Sequence, residues 1–143
     1  VLDNVAVGKP QVSVSDAIEA IQMVGLQDKV NMLPNGMNTH IISGGKGFSS
    51  SFVNKLILAR CLVKKPKLMI LNDFFNSFQR SEKEKLIKLV MDMSICTVVV
   101  VSNDPAVMSA CDRVILMDNG GIKKDGSFNE LLASGHLKDL VND

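Results

Sequence analysis

Residues Gly44 to Asp73 carry, in order, a glycine-rich turn, three serines heading an amphipathic helix, a proline break and a short apolar strand ending in Asn72-Asp73. No other stretch of the chain constrains its fold as much. Phe52, Leu56, Ala59 and Val63 recur at helical spacing and predict a helix over 49–64 with one buried stripe. Pro66 cannot continue that helix, and Lys64 and Lys65 suit the negative end of its dipole. Lys67 to Leu71 is nearly continuous in apolar residues, which predicts a strand covered on both faces, as in parallel sheets. Unpaired N–H groups and hydroxyls at a helix start suit an anion. Taken without context, however, three serines more often only cap a core helix, and Asn-Asp more often only turns the chain after a strand.

Upstream, Ser13 or Ser15 can cap a helix running to about Met23, with Ala17, Ile18, Ile21 and Val24 at helical spacing and Gly25 as its stop. A helical turn over Gln27 to Met32, a forced turn at Leu33-Pro34-Asn35-Gly36 and a short extended stretch from Met37 to Ile42 complete a small helical unit. Downstream, Ser81 and Glu84 have capping-box spacing at the head of a helix to Met93, and Cys96 to Val101 reads as a second buried strand. A helical turn follows at Pro105 to Ala110. Strands Arg113 to Met117 and Ile122 to Lys124 are joined by Asp118-Asn119-Gly120-Gly121, a hairpin signal. A helix near Asn129 to Ala133 and a last turn near His136 to Val141 end the pattern. Strands alternating with helices imply an α/β fold with a mainly parallel sheet, flanking helices and a small helical subdomain, the hairpin adding a mixed edge.

Composition narrows the partners. The 143 residues are 46% hydrophobic, enough for one sizeable core, and 16 basic against 15 acidic side chains leave a net charge of +1. Such a balance gives no electrostatic reason to expect nucleic acid. Cys61, Cys96 and Cys111 lack metal-ligand spacing and sit in apolar segments, so they are expected as buried free thiols. No apolar run approaches the ~20 residues that span a bilayer, so the chain itself reads as soluble. It opens on Val1-Leu2-Asp3, which suggests a piece of something longer. His40 and His136 are far apart with no ligand cluster, and Glu82, Lys83, Lys85 and Lys88 read as a solvated helix face.

In order and spacing these segments resemble the C-terminal portion of an ABC transporter nucleotide-binding domain, a P-loop NTPase fold, over essentially the whole chain. Ile42-Ser43-Gly44-Gly45-Lys46 superficially copies the family's LSGGQ signature. Distance decides against it: the family's signature serine precedes its Walker B aspartate by 23 residues, with A-R where Ala59-Arg60 stands here, and Ser49 meets both conditions. The matching signature is therefore Phe48-Ser49-Ser50-Ser51-Phe52. Walker B is matched by Leu68 to Leu71 with Asn72-Asp73, the D-loop S-A-L-D by Asn76-Ser77-Phe78-Gln79, and the switch histidine by Asn103. Cys111-Asp112-Arg113 matches A-D-R, and Gly126 to Leu132 echoes the ending G-[ST]-H-x-E-L-L of exporters. Roughly residues 9–47 then correspond to the helical subdomain and 48–143 to the signature helix and the C-terminal part of the core.

The resemblance implies that Ser49, Ser50 and Ser51 meet the γ-phosphate held by an opposite domain. Asn72 stands where an aspartate helps hold Mg²⁺, Asp73 where a glutamate acts as general base, and Asn103 where a histidine contacts phosphate. Each departure has a chemical cost. Ser50 and Ser51 add Cβ atoms where glycine backbone approaches phosphate, and Asn72 offers Mg²⁺ a neutral amide. Asp73 is one methylene short, a displacement of ~1 Å that can cost ~100-fold, and Asn103 has no titrating proton. No G-x-x-x-x-G-K-[ST] is present: Gly8-Lys9 is followed by proline and Gly45-Lys46 by glycine.

The stretch Asp3 to Gly8 resembles the segment just after the family's Q-loop. The expectation is thus a degenerate part of an ABC exporter ATP-binding domain without its P-loop and Q-loop region. ATP and Mg²⁺ belong to the intact parent, with none expected on this chain alone. Implied partners are a second nucleotide-binding domain and a transmembrane domain, at the cytoplasmic face of a cell membrane, the bacterial inner membrane being the expected one. The alternative is a non-catalytic assembly or regulatory module that keeps the fold without nucleotide. A chromosome-maintenance ATPase head ranks last, because Asp16 to Gly36 lacks sustained heptads. Without the P-loop strand, the strands ending at Leu71 and Val101 are expected to leave an apolar face or an unpaired edge.

Overall fold

The computed structural model describes residues 1–7, 11–93 and 96–137. Helix α1 (Leu2–Ala6) leads to α2 (Val14–Met23), which is capped by Ser13 in a capping box with Asp16, and then to α3 (Gln27–Asn31). Met37 to Ile42 is not extended as expected: Gly36–Asn38 is a 3₁₀ turn and the chain then runs irregularly into a second one at Ser43–Gly45. The main helix α4 (Ser50–Leu62) starts from Ser49, whose hydroxyl accepts the Phe52 N–H at 3.2 Å. Its buried face is wider than the expected stripe. Lys55, Leu58 and Leu62 join Phe52, Leu56 and Ala59 inside, while Val63 is half-buried.

The glycine turn before α4 is shaped by packing. Gly45 has a φ of +66°, and a Cβ there would lie 2.6 Å from Val53 Cγ2 on α4, whereas Gly44 at +75° has nothing within 4 Å. Gly45→Ala is therefore expected to cost about 1–3 kcal/mol, strain and clash together, and Gly44→Ala about 1 kcal/mol from the left-handed backbone alone. Urea denaturation of the two variants checks the difference.

Strand β1 (Leu68–Asn72) pairs in parallel with β2 (Thr97–Val101), Leu68 opposite Thr97 and Asn72 opposite Val101. Between them lie a 3₁₀ turn at Phe74–Ser77 and helix α5 (Arg80–Met91). The expected capping box at Ser81 is absent. Gln79 is the N-cap and makes no side-chain cap bond, Ser81 lies inside the helix, and Glu84 instead pairs with Arg80 one turn away. Asp104 caps α6 (Pro105–Ser109). Strands β3 (Val114–Asp118) and β4 (Gly121–Gly126) form the expected hairpin, turning through Asn119 and Gly120, both at positive φ, as a primed turn requires. It stands as a sheet of its own rather than as a mixed edge of the parallel pair. Helix α7 (Phe128–Ala133), boxed by Ser127 and Glu130, packs beside it. Gly8, Lys9 and the part of the last turn beyond Leu137 lie outside the described residues.

One hydrophobic cluster joins α1 to α5, β1 and Val107, and a smaller one holds Met108, Val114, Leu131 and Leu137 under the hairpin. The parallel pair is covered on one side only: the two-sided cover read from its apolar run is absent, and the exposed apolar face expected without the P-loop strand is present. Met69 and Leu71 are buried, but Leu68, Ile70, Val99 and Val101 stand in solvent, Ile70 at 65% exposure. Alternation is what a two-stranded sheet with a single covering layer produces, although the residues are apolar enough for two layers. The three cysteines are free but half-buried at the core margin, not buried. Burial pushes the Cys111 thiol upward, and the Asp112 charge adds to this.

Candidate functional site

The parallel pairing brings three of the sequence-selected residues to one end of the sheet. Asn72 closes β1 opposite Val101, the last residue of β2, and Asn103 follows two residues later. Asp73 donates its N–H to the Val101 carbonyl at 3.0 Å, tying the two strand ends together. All three side chains are exposed at the carboxyl ends of parallel strands, where α/β sheets bind ligands. Asp73 adopts the left-handed region, φ +47°, as it starts the Phe74–Ser77 turn, and its Oδ1 accepts from Asn76 Nδ2 at 3.4 Å. Phe75, almost fully buried, anchors that turn and packs edge-on against Phe74 with ring centroids 5.3 Å apart.

The serines stand elsewhere, at the head of α4. Among the described residues no hydrogen bond links them to Asn72, Asp73 or Asn103. Ser49 uses its oxygen as a cap and retains its O–H as a donor, and Ser50 is exposed. Ser51 is committed: its hydroxyl donates to Glu82 Oε2 at 2.8 Å, while Glu82 Oε1 pairs with Lys55 Nζ at 2.6 Å. The Lys55 bond, with further help from Ser51, holds the Glu82 carboxyl below its usual range against the opposing effect of burial. Asn54 Nδ2 donates to Ser77 Oγ at 2.7 Å, which fastens α4 to the turn after Asp73. Phe48 stacks on Phe52 at 4.6 Å and fixes the entry into the helix.

Glu82 and Lys83 therefore do not belong to a merely solvated face. Lys83 Nζ meets Asp104 Oδ2 at 2.6 Å, next to Asn103, and this bond is the main reason that the Asp104 carboxyl is also lowered. Lys55 is only 6% exposed and was not singled out by its motif. The signal was there, since Lys55 lies three residues after Phe52 and one before Leu56, inside the apolar stripe. A depressed carboxylate contributes stability that is whole above its unfolded pKa and disappears as pH falls through the folded value. For Glu82 and Asp104 the sign places the loss on the acid side. Urea midpoints should hold from pH 7 to about 5 and fall below about 4, where free carboxylates protonate.

Among the described residues no group of three histidine, cysteine or acidic side chains could hold a metal. At the sheet end one carboxylate and two amides are available. The two amides can donate to phosphate oxygens, and the single carboxylate is too little charge for a hard divalent cation, which favours several charged oxygens. No described helix is long and apolar enough to cross a membrane.

No family model matches the chain. It is 32% identical over 136 residues to the alpha-hemolysin translocation ATP-binding protein HlyB of Escherichia coli O157:H7, which covers 93% of this chain and 19% of that protein. It is 31% identical over 119 residues to the mating factor M secretion protein mam1 of Schizosaccharomyces pombe, 83% of this chain and 9% of that one. A solved bacterial Atm1-family ABC exporter with ATP bound superposes with a TM-score of 0.88 at 19% identity, over 98% of this chain and 25% of the exporter's, and speaks for the fold. The chain thus spans less than a fifth of the length of these two sequence relatives. Matching these secretion and translocation proteins along most of its own length and sharing the solved exporter's fold, this chain belongs to the ATP-binding family of ABC transporters, on the exporter side.

Proposed function

We propose that this chain is the C-terminal part of a degenerate ATP-binding domain that couples nucleotide occupancy to export across a membrane, working at the cytoplasmic face with a transmembrane domain and a second nucleotide-binding domain. The observation that carries this reading is the shared sheet end, with Asn72 and Asp73 closing β1 beside Asn103 after β2. Residues 9–47 serve as the helical subdomain and 48–143 as signature helix and core. In the intact parent, Ser49 offers a hydroxyl to the γ-phosphate of the opposite domain, and Asn103 offers an amide N–H to phosphate. Asp73 is the carboxylate that remains to polarise water. Asn72 and Asp73 do not make a Mg²⁺ site by themselves, so no step is assigned to the metal.

The expected result is no ATP hydrolysis by the chain alone and slow hydrolysis by the intact parent. Restoring the acidic pair in the parent with Asn72→Asp and Asp73→Glu should raise turnover ~10- to 100-fold. Hydrolysis by the unaltered parent at ordinary family rates, abolished by Asp73→Ala, would overturn the degenerate reading. A second reading, an assembly module that binds no nucleotide, is favoured by one observation: Ser51 gives its hydroxyl to Glu82 rather than leaving it free. Titration of labelled ATP into the parent separates the two, since micromolar binding excludes the module.

A further inference from the structure

The first turn of α5 grips its neighbours on two sides. Glu82 reaches back to α4 and Lys83 reaches across to the loop after β2, from successive positions roughly 100° apart around the helix. Each grip engages both oxygens of its carboxylate. Glu82 takes Lys55 on Oε1 and Ser51 on Oε2, and Asp104 takes Lys83 on Oδ2 and the Ala106 N–H on Oδ1. Both pairs are largely shielded from solvent, with side-chain exposures of 8% and 25% for the first and 23% and 19% for the second. Shielded, doubly bonded pairs hold geometry that exposed ones do not. The third ion pair of this helix, Arg80 with Glu84, has exposures of 95% and 61% and joins α5 only to itself. The helix behind these contacts is seated in the core by Leu86, Ile87 and Val90.

We propose that Glu82 and Lys83 form a brace that couples the serine-headed end of α4 to the loop carrying Asn103, so that displacement of either segment is passed to the other through the first turn of α5. Both are positioning residues: Glu82 acts through Ser51, and Lys83 acts through Asp104 on its neighbour Asn103. The meaning of this coupling for phosphate rests on the function proposed above. The coupling itself is read without nucleotide, so a failure of one leaves the other standing.

The test uses the full chain, isotope-labelled, and follows backbone amide shifts. Lys55→Met should move the signals of Ser102 to Asp104, and Asp104→Asn, which keeps the oxygen that caps α6, should move those of Ser50 to Phe52. Arg80→Ala should move neither set. The double variant Lys55→Met with Asp104→Asn should lower the urea midpoint by less than the two single losses added together, because either break slackens the other side. Lys83→Met, which breaks the same pair from the other side and leaves the α6 cap intact, should move the Ser50 to Phe52 signals as Asp104→Asn does, and Lys83→Arg, which keeps the charge, should leave them in place. Ser51→Ala, which removes the hydroxyl grip and keeps the Lys55 charge, should move the Ser102 to Asp104 signals in the same direction by less. Shifts confined to the mutated side, or additive midpoint losses, would overturn the brace.

Discussion

Replacing Phe75 with alanine is expected to cost about 3–5 kcal/mol, most of the stability that a small domain commands. Among the described residues Phe75 is the largest fully buried side chain, and it is the apolar anchor of a four-residue turn whose other tie to α4 is the bond from Asn54 to Ser77. A domain of this size commands ~5–15 kcal/mol in all, and a sheet left bare on one side puts this chain toward the lower end. The damage would reach the candidate site, because Phe75 stands two residues after Asp73 and anchors the corner where β1 ends. Urea denaturation followed by circular dichroism checks the cost. Phe74→Ala, at a half-buried ring in the same turn, should cost distinctly less, and equal losses would show that the turn is not anchored as described.

Removing the carboxylate of Glu82 should cost about 3 kcal/mol, whereas removing its partner should cost little. Glu82→Ala strands a buried ammonium at Lys55 and deprives Ser51 of its acceptor. Lys55→Met replaces the charge with an apolar chain of similar length in an apolar neighbourhood, and leaves Glu82 with Ser51 and water; a change below about 1 kcal/mol is expected. The asymmetry is the diagnostic. Comparable losses from both variants, measured by urea midpoint, would mean that Lys55 is more hydrated than its 6% exposure implies.

Much of the fold was legible because local chemistry and global position agree. Of the two candidates Ser13 and Ser15 it is Ser13 that caps α2, Ser49 caps α4 as short-range rules require, and Asn119-Gly120 turns the hairpin for the same reason. Where reading failed, either two local options competed or the outcome rested on what other elements pack nearby. Ser81 and Glu84 have capping-box spacing, but the N-cap falls two residues earlier, at Gln79, and Arg80 claims Glu84. Four valines in β2 and four apolar residues in β1 announce two-sided cover, yet burial depends on what else is packed there. At the site, Asn72, Asp73 and Asn103 were picked out by the family resemblance, and their common place at the sheet end follows from the two parallel strands closing at Asn72 and Val101. The fate of Ser51 could not, because its acceptor lies 31 residues away on a helix whose rotation no local pattern records.

The left-handed backbone at Asp73 has a consequence for any attempt to lengthen that acid. Short polar side chains such as aspartate and asparagine settle at positive φ far more readily than glutamate does. Position 73 thus sets reach against backbone ease: an extra methylene would carry the carboxylate outward while the chain beneath it resisted the bend. In this family member the shorter acid is the one that the corner itself favours.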